Sequence, residues 1–210
     1  DPHECPELLD KWGDEFERIY HELEAAGKGR ETLSAKSLYM RIIEAQIETG
    51  TPYMLAKDTI NRQNNQSNIG IIKSSNLCAE VVEVTSPDYI SVCNLGSLSL
   101  PAFVNVADET FNYKLLEEKA RSLVRALNMV ISKSSYPCPE ANKANLLMRP
   151  MGCGSQGLAR ALFMMKVPYT SERALAITAA IQETIYFAAV SESVKMAKVL
   201  GRWDEGLDPS

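Results

Sequence analysis

Three polar residues stand at alternate positions at the head of an apolar run. In SSNLCAEVVEV, residues 74–84, the order is Asn76-x-Cys78-x-Glu80. In an extended segment alternate side chains share a face, so amide, thiol and carboxylate would converge while Leu77 and Ala79 turn away. Cysteine is readily turned into a nucleophile or, under a strong oxidant, into a sulfur radical. A nearby carboxylate can take the proton of a substrate hydroxyl, and an amide can hold a second hydroxyl without exchanging a proton. The same carboxylate opposes thiolate formation, because a like charge raises a thiol's pKa. No histidine lies near in sequence to complete a Cys-His pair. The set therefore suits radical chemistry better than thiolate catalysis. The alternative on pattern alone is a buried structural Cys78 beside a solvated Glu80 at a strand edge. Cys93 follows fifteen positions after Cys78. It could reach the same site if AEVVEV and YISVCNL pair across the turn signal TSPD, or it could be a small core residue.

The bulk composition narrows the classes. Hydrophobic residues make up 45% and charged residues 23% of 210, an ordinary globular balance. A net charge of -5 and a pI near 5.2 argue against a protein built to grip nucleic acid. No unbroken apolar stretch approaches bilayer length, and the N-terminal DPHECPELLDKWGDEFERIY is acidic, unlike a signal peptide. A cytoplasmic chain with no membrane partner is expected. The five cysteines are an odd, widely spaced set with no CxxC, and His3 and His21 are the only histidines. Neither a disulfide framework, a metal site nor a simple thiol-disulfide redox protein is expected. The start without methionine and the end in WDEGLDPS read as a segment of something longer.

The elements that would position the thiols follow from periodicity. Helical spacing predicts an amphipathic helix over 6–25, and a second over 34–49 with Ser34 as N-cap and Gly50 as stop. TPYMLAKD reads as a short buried strand opened by Pro52. The amide-rich NRQNNQSNI, 61–69, reads as a solvated loop, or as a loop ordered by amide hydrogen bonds. AEVVEV and YISVCNL read as strands, 95–104 as helix or coil, and 114–132 as a helix. SSYPCPEANKAN reads as a Pro-punctuated connection. RPMGCGSQGLARALFMM reads as a strand, a tight Gly turn and a helix, and 171–200 as a long helix ended by Gly201. Gly152, Gly154 and Gly157 match G-x-G-x-x-G, but close backbone packing explains them better than nucleotide phosphate binding. The sum is a helix-dominated α/β chain with too few strands for a sheet of its own, hence part of a larger barrel or sheet.

One stretch, TGTPYMLAKDTINRQNNQSNIGIIKSSNLCAEVVEVTSPDYISVCNLGSLSL, closely resembles the middle of the large, catalytic subunit of class I ribonucleotide reductase, of the type found in eukaryotes and large DNA viruses. The likeness extends through ECPELLDKWGDEFERIY, RPMGCGSQGLA, ETIYFAA and the terminal EGLDPS. The resemblance implies that residues 1–210 are a single segment of a ten-stranded α/β barrel whose finger loop carries N-x-C-x-E. It implies that Cys78 is the thiyl radical that removes the 3′ hydrogen of a ribonucleoside diphosphate. Glu80 would take the 3′-hydroxyl proton, Asn76 would hydrogen-bond the sugar, and Cys93 would be half of the redox pair that becomes a disulfide. No cofactor is implied on the segment itself. The radical would come from a metal-containing small subunit and the electrons from a thioredoxin- or glutaredoxin-type reductant. ATP and deoxynucleotide effectors would bind parts outside this segment, and the full enzyme would be a homodimer that needs the remaining large-subunit segments. Arg160 and Ser155 depart from the family's usual residues, and none of Cys5, Cys138 and Cys153 matches the second redox cysteine. The reading from another class is a catalytically retired, reductase-derived binding or structural protein.

Overall fold

The computed structural model describes residues 3–201, so the terminal WDEGLDPS lies outside the described residues. The chain is a helix-dominated α/β fold in two compact units, residues 1–87 and 88–210.

In the first unit the expected 6–25 helix is divided. A 3-10 turn spans Pro6–Leu8 and α1 spans Gly13–Ala25. Gly13 takes a left-handed φ of 60° and its N–H donates to Asp58 Oδ1 at 2.9 Å, which turns the chain where helical periodicity continues. Helix α2, Ala35–Thr49, has the expected ends: Ser34 Oγ accepts from the Ser37 N–H, and Gly50 closes it at φ 77°. None of its residues is buried. The expected strand at TPYMLAKD is not formed. Residues 51–56 are irregular, Tyr53, Met54 and Leu55 are exposed, and α3 begins at Lys57 and runs Lys57–Arg62. No neighbouring strand among the described residues offers the ladder partners that such a run needs. Beyond α3 the chain to residue 87 is irregular, with Ile72, Val81 and Val84 buried.

The second unit holds the regular architecture. Strand β1, Leu95–Ser99, pairs in parallel with β4, Gly152–Gln156, in the register Leu95↔Gly152 to Ser99↔Gln156. The strand at 95–99 and the 3-10 turn Leu100–Phe103 resolve a stretch that sequence left between helix and coil. The runs AEVVEV and YISVCNL form no strand ladder before Leu95. Two short strands, β2 (Val104–Asn105) and β3 (Thr110–Phe111), pair antiparallel. Helix α4, Tyr113–Lys133, buries Leu116, Ala120, Val124, Leu127 and Ile131, the face that its periodicity predicts. The Pro-punctuated connection is in fact a helix, α5, Pro139–Met148. Its proline sits at the first helical position, where the missing N–H is no loss. After β4 come α6, Leu158–Met164, and α7, Glu172–Leu200, the latter capped by Ser171 Oγ accepting from the Ala174 N–H at 3.1 Å.

Helices α4 and α7 pack over the strand pair, with Leu98, Leu116, Leu162, Met165 and Ile181 in one core. By length and hydropathy alone Glu172–Val199 would pass for a membrane span, against the expectation that no stretch approaches bilayer length. Glu192 within it is buried and ion-paired to Arg125 at 2.7 Å and Arg121 at 3.6 Å from α4, which fits a helix packed on protein. Its other face leaves Leu175, Tyr186, Phe187, Val190 and Val194 exposed.

The glycine triad at β4–α6 is packing, as the sequence suggested. A Cβ on Gly152 would lie 2.4 Å from Leu95 Cδ2, and Gly157 has φ 81° with Pro101 Cδ 2.7 Å from an added Cβ. Gly157→Ala is predicted to lower the unfolding free energy by about 1–3 kcal/mol. Gly29→Ala, with nothing within 4 Å, should change it by less than about 0.5 kcal/mol in the same denaturant titration.

Candidate active site

The Asn76–Glu80 segment is a tight turn. The Ala79 N–H donates to Asn76 O at 3.1 Å, and Ala79 takes a left-handed φ of 61°. The expected extended geometry, with every second side chain on one face, therefore does not apply. An Asn side chain competes with regular backbone pairing by bonding its neighbours, and here Asn76 Oδ1 accepts from the Val81 N–H at 3.1 Å. The turn still brings the amide and the carboxylate together: Asn76 Nδ2 donates to Glu80 Oε1 at 2.7 Å. Cys78 sits at the tip, exposed, beside a Leu77 that is 82% exposed. Ser75 Oγ braces the base of the turn by donating to Val81 O at 2.6 Å.

Side-chain amides hold the flanks of this turn, so 61–69 follows the second of its two sequence readings. Asn61 is buried at the end of α3; its Nδ2 donates to Ile72 O and its Oδ1 accepts from the Ile72 N–H, both at 2.9 Å. That pair of bonds copies one rung of a sheet. Asn64 Nδ2 donates to Gly70 O at 2.9 Å and its Oδ1 accepts from the Gln66 N–H at 2.7 Å. Gln66 Oε1 in turn accepts from the Val84 N–H at 2.7 Å. Residues before and after Cys78 are thus tied to the same short amide-rich segment.

Cys93 lies in the second unit, exposed, two residues before β1. Its neighbour Asn94 is buried and bonds to Asn145 Oδ1 at 2.6 Å and to Pro150 O at 3.0 Å. Cys153, on β4, is half-buried, and burial pushes its thiol up, away from thiolate chemistry.

Residues 1–205 match the family described as ribonucleotide reductase, barrel domain. The chain belongs to that family. It is 47% identical over 95% of its length to the ribonucleoside-diphosphate reductase large chain of Neurospora crassa, of which it spans 22%. It is 45% identical to large chain 2 of Saccharomyces cerevisiae, covering 96% of this chain and 24% of the yeast protein. It is 46% identical to the large subunit of Acanthamoeba polyphaga mimivirus, covering 96% of this chain and 23% of the viral one. The chain thus spans about a quarter of the length of these curated relatives.

Within this ribonucleotide reductase segment, sequence reasoning overlooked the buried amides Asn94 and Asn145. The signal was there: an amide inside an apolar run, as in VCNL and ANLL, must find partners once buried. It also overlooked Glu83, whose carboxyl burial pushes up to about 7.

Two outcomes follow. Asn61→Ala strips both partners from the buried Ile72 peptide groups and is expected to lower stability by about 1–3 kcal/mol in denaturant unfolding. For Glu83, the folded chain keeps a proton that the unfolded chain releases once pH exceeds the ordinary carboxyl value of 4.5. Its contribution is therefore fully present below that value and is lost as pH rises to about 7. Glu83→Gln should flatten this part of the stability–pH curve.

Proposed function

We propose that this chain is the central part of the large subunit of a ribonucleoside-diphosphate reductase and carries its radical chemistry on the turn at Cys78. The observation that supports this most is the pairing of Asn76 with Glu80 at 2.7 Å beneath an exposed thiol. Amide, carboxylate and sulfur stand together on one held loop, in a sequence whose relatives bear that enzyme's name.

In this reading the Cys78 sulfur, as a radical, takes the hydrogen atom from C3′ of the ribose and becomes a thiol. Glu80 accepts the 3′-hydroxyl proton, and Asn76 orients both the carboxylate and the sugar. The 2′-hydroxyl leaves as water. Two further thiols, Cys93 and one outside this chain, give up two protons and two electrons and close a disulfide. Cys78 then returns its hydrogen to C3′, and Glu80 returns the proton to the 3′ oxygen, so that both are restored.

Both units of the chain serve one barrel in this proposal, and the remainder of the large subunit shields the site. Cys78 is exposed in this segment, whereas a carbon radical must be kept from water and competing reactions. The exposed apolar face of α7 is further reason to expect neighbouring segments. The radical comes from a metal-containing small subunit, the disulfide is reset by a thioredoxin- or glutaredoxin-type protein, nucleotide effectors act elsewhere, and the large subunit is a homodimer.

The test is turnover of a ribonucleoside diphosphate by the complete large subunit with its small subunit. Cys78→Ser should abolish deoxyribonucleotide formation. Glu80→Gln, which keeps size and removes the base, should lower kcat by about 100-fold or more with KM little changed. Wild-type turnover by Cys78→Ser would overturn the assignment.

A further inference from the structure

Cys93 is exposed, yet the residue that follows it is among the most firmly held in the second unit. Asn94 is 7% exposed and Asn145 is fully buried. Asn94 Nδ2 donates to Asn145 Oδ1 at 2.6 Å and to Pro150 O at 3.0 Å, and lies 3.3 Å from Val92 O. Its own carbonyl accepts from the Gly152 N–H at 2.8 Å, just where β4 begins beside β1. Asn145 Nδ2 continues the chain to the Tyr136 hydroxyl, which donates to Ile131 O at 2.6 Å on α4.

The acceptors explain why an amide stands at 94. Two carbonyl oxygens, Asn145 Oδ1 and Pro150 O, converge on one atom, and only an NH2 group satisfies both. An aspartate there would set lone pairs against lone pairs in a buried place. The platform beneath is also braced. Arg149, closing α5 at φ 47°, donates to Asn128 Oδ1 and Asn128 O at 2.7 Å and to Ser132 Oγ at 2.6 Å, locking the end of α5 onto α4. Upstream, the Ile90 N–H reaches Glu140 O at 3.4 Å and the Lys143 ammonium lies 4.7 Å over the Tyr89 ring. The thiol-bearing stretch from Tyr89 to Asn94 therefore rides on α5.

We infer that Asn94 and Asn145 are positioning residues for the Cys93 thiol, holding its backbone so that the sulfur meets its partner thiol during disulfide closure. The inference rests on the reading of Cys93 as a redox thiol. The step is one of exchange: two S–H bonds break, one S–S bond forms, and the two electrons and two protons go to the ribonucleotide as it loses water. Two thiols held in register raise their effective concentration for each other. Loosening one of them favours the dithiol.

The test uses the complete large subunit with its small subunit, and compares two buried Asn-to-Asp changes. Asn94→Asp removes both donors. Asn145→Asp keeps the oxygen that accepts from Asn94, and Tyr136 can turn its hydroxyl toward the new carboxyl. For Asn94→Asp, the redox equilibrium of the active-site disulfide should shift about tenfold toward dithiol, which is about 30 mV less negative. Its kcat should fall about tenfold with KM for the diphosphate within about twofold. Asn145→Asp, which keeps the acceptor for Asn94 but loses the donor to Tyr136, should shift both in the same direction by a clearly smaller factor. Equal damage from the two changes, or an unshifted midpoint in Asn94→Asp, would overturn the proposal. If Asn94→Asp does not fold, Tyr136→Phe decides. It cuts the far end of the same chain, and should shift the midpoint in the same direction by a smaller factor; an unshifted midpoint there overturns the proposal. Cys93→Ser separates the two layers. Full turnover in Cys93→Ser sinks the redox reading itself, whereas a dead Cys93→Ser with an unaffected Asn94→Asp sinks only the positioning role.

Discussion

Both thiols assigned to chemistry sit on backbone that belongs to no helix and no sheet, and such backbone must find partners for its N–H and C=O groups elsewhere. Side-chain amides meet that need in each unit. Asn61 mimics a sheet rung against Ile72, Gln66 takes the Val84 N–H, and Asn76 takes the Val81 N–H. In the second unit Asn94 Nδ2 reaches Val92 O and Pro150 O, and Asn145 Oδ1 accepts from the same amide. An amide carries both donor and acceptor without charge, so it can serve the backbone at either end.

In the proposed reading this arrangement serves the mechanism. A regular strand would spread Asn76, Cys78 and Glu80 along a face with spacing set by the pleat. A turn closed by the Ala79–Asn76 bond instead folds the carboxylate back onto the amide and leaves the sulfur at the apex. Ala79 with φ 61° is a strained choice for a residue with a Cβ, and the bonds of Asn76 and Ser75 on either side hold it there. The parallel pair β1–β4 is too small to stand as a sheet, in keeping with a segment of a barrel.

Much of the fold was legible because it follows period and punctuation. Helices α2, α4 and α7 lie within a residue or two of their sequence limits, with Ser34, Gly50 and Ser171 at the ends where their chemistry belongs. The strand–glycine–helix reading of 152–164 also holds. The misses share a cause, which is that local pattern does not reveal tertiary partners. TPYMLAKD has strand composition but no ladder to join, Pro139 starts a helix where it looked like a break, and Gly13 interrupts a helical stripe. At the site the residue types were legible and the local geometry was not. Alternation suggested a shared face, while a left-handed alanine, unforeseeable from β propensity, made a turn. The amide-rich 61–69 was open between a solvated loop and one ordered by amide hydrogen bonds, because polarity was visible and the backbone partners that decide for the second were not.

Amide hydrogen exchange, resolved to single residues, tests the amide-held loop most directly. The account predicts that the N–H groups of Ile72, Val81 and Val84 exchange more slowly than those of Leu77 and Cys78 at the tip, although none of the five belongs to a strand or helix. Uniformly fast exchange across residues 72–84 would mean that the side chains of Asn61, Gln66 and Asn76 do not hold this backbone, and the account of the site would fail with them.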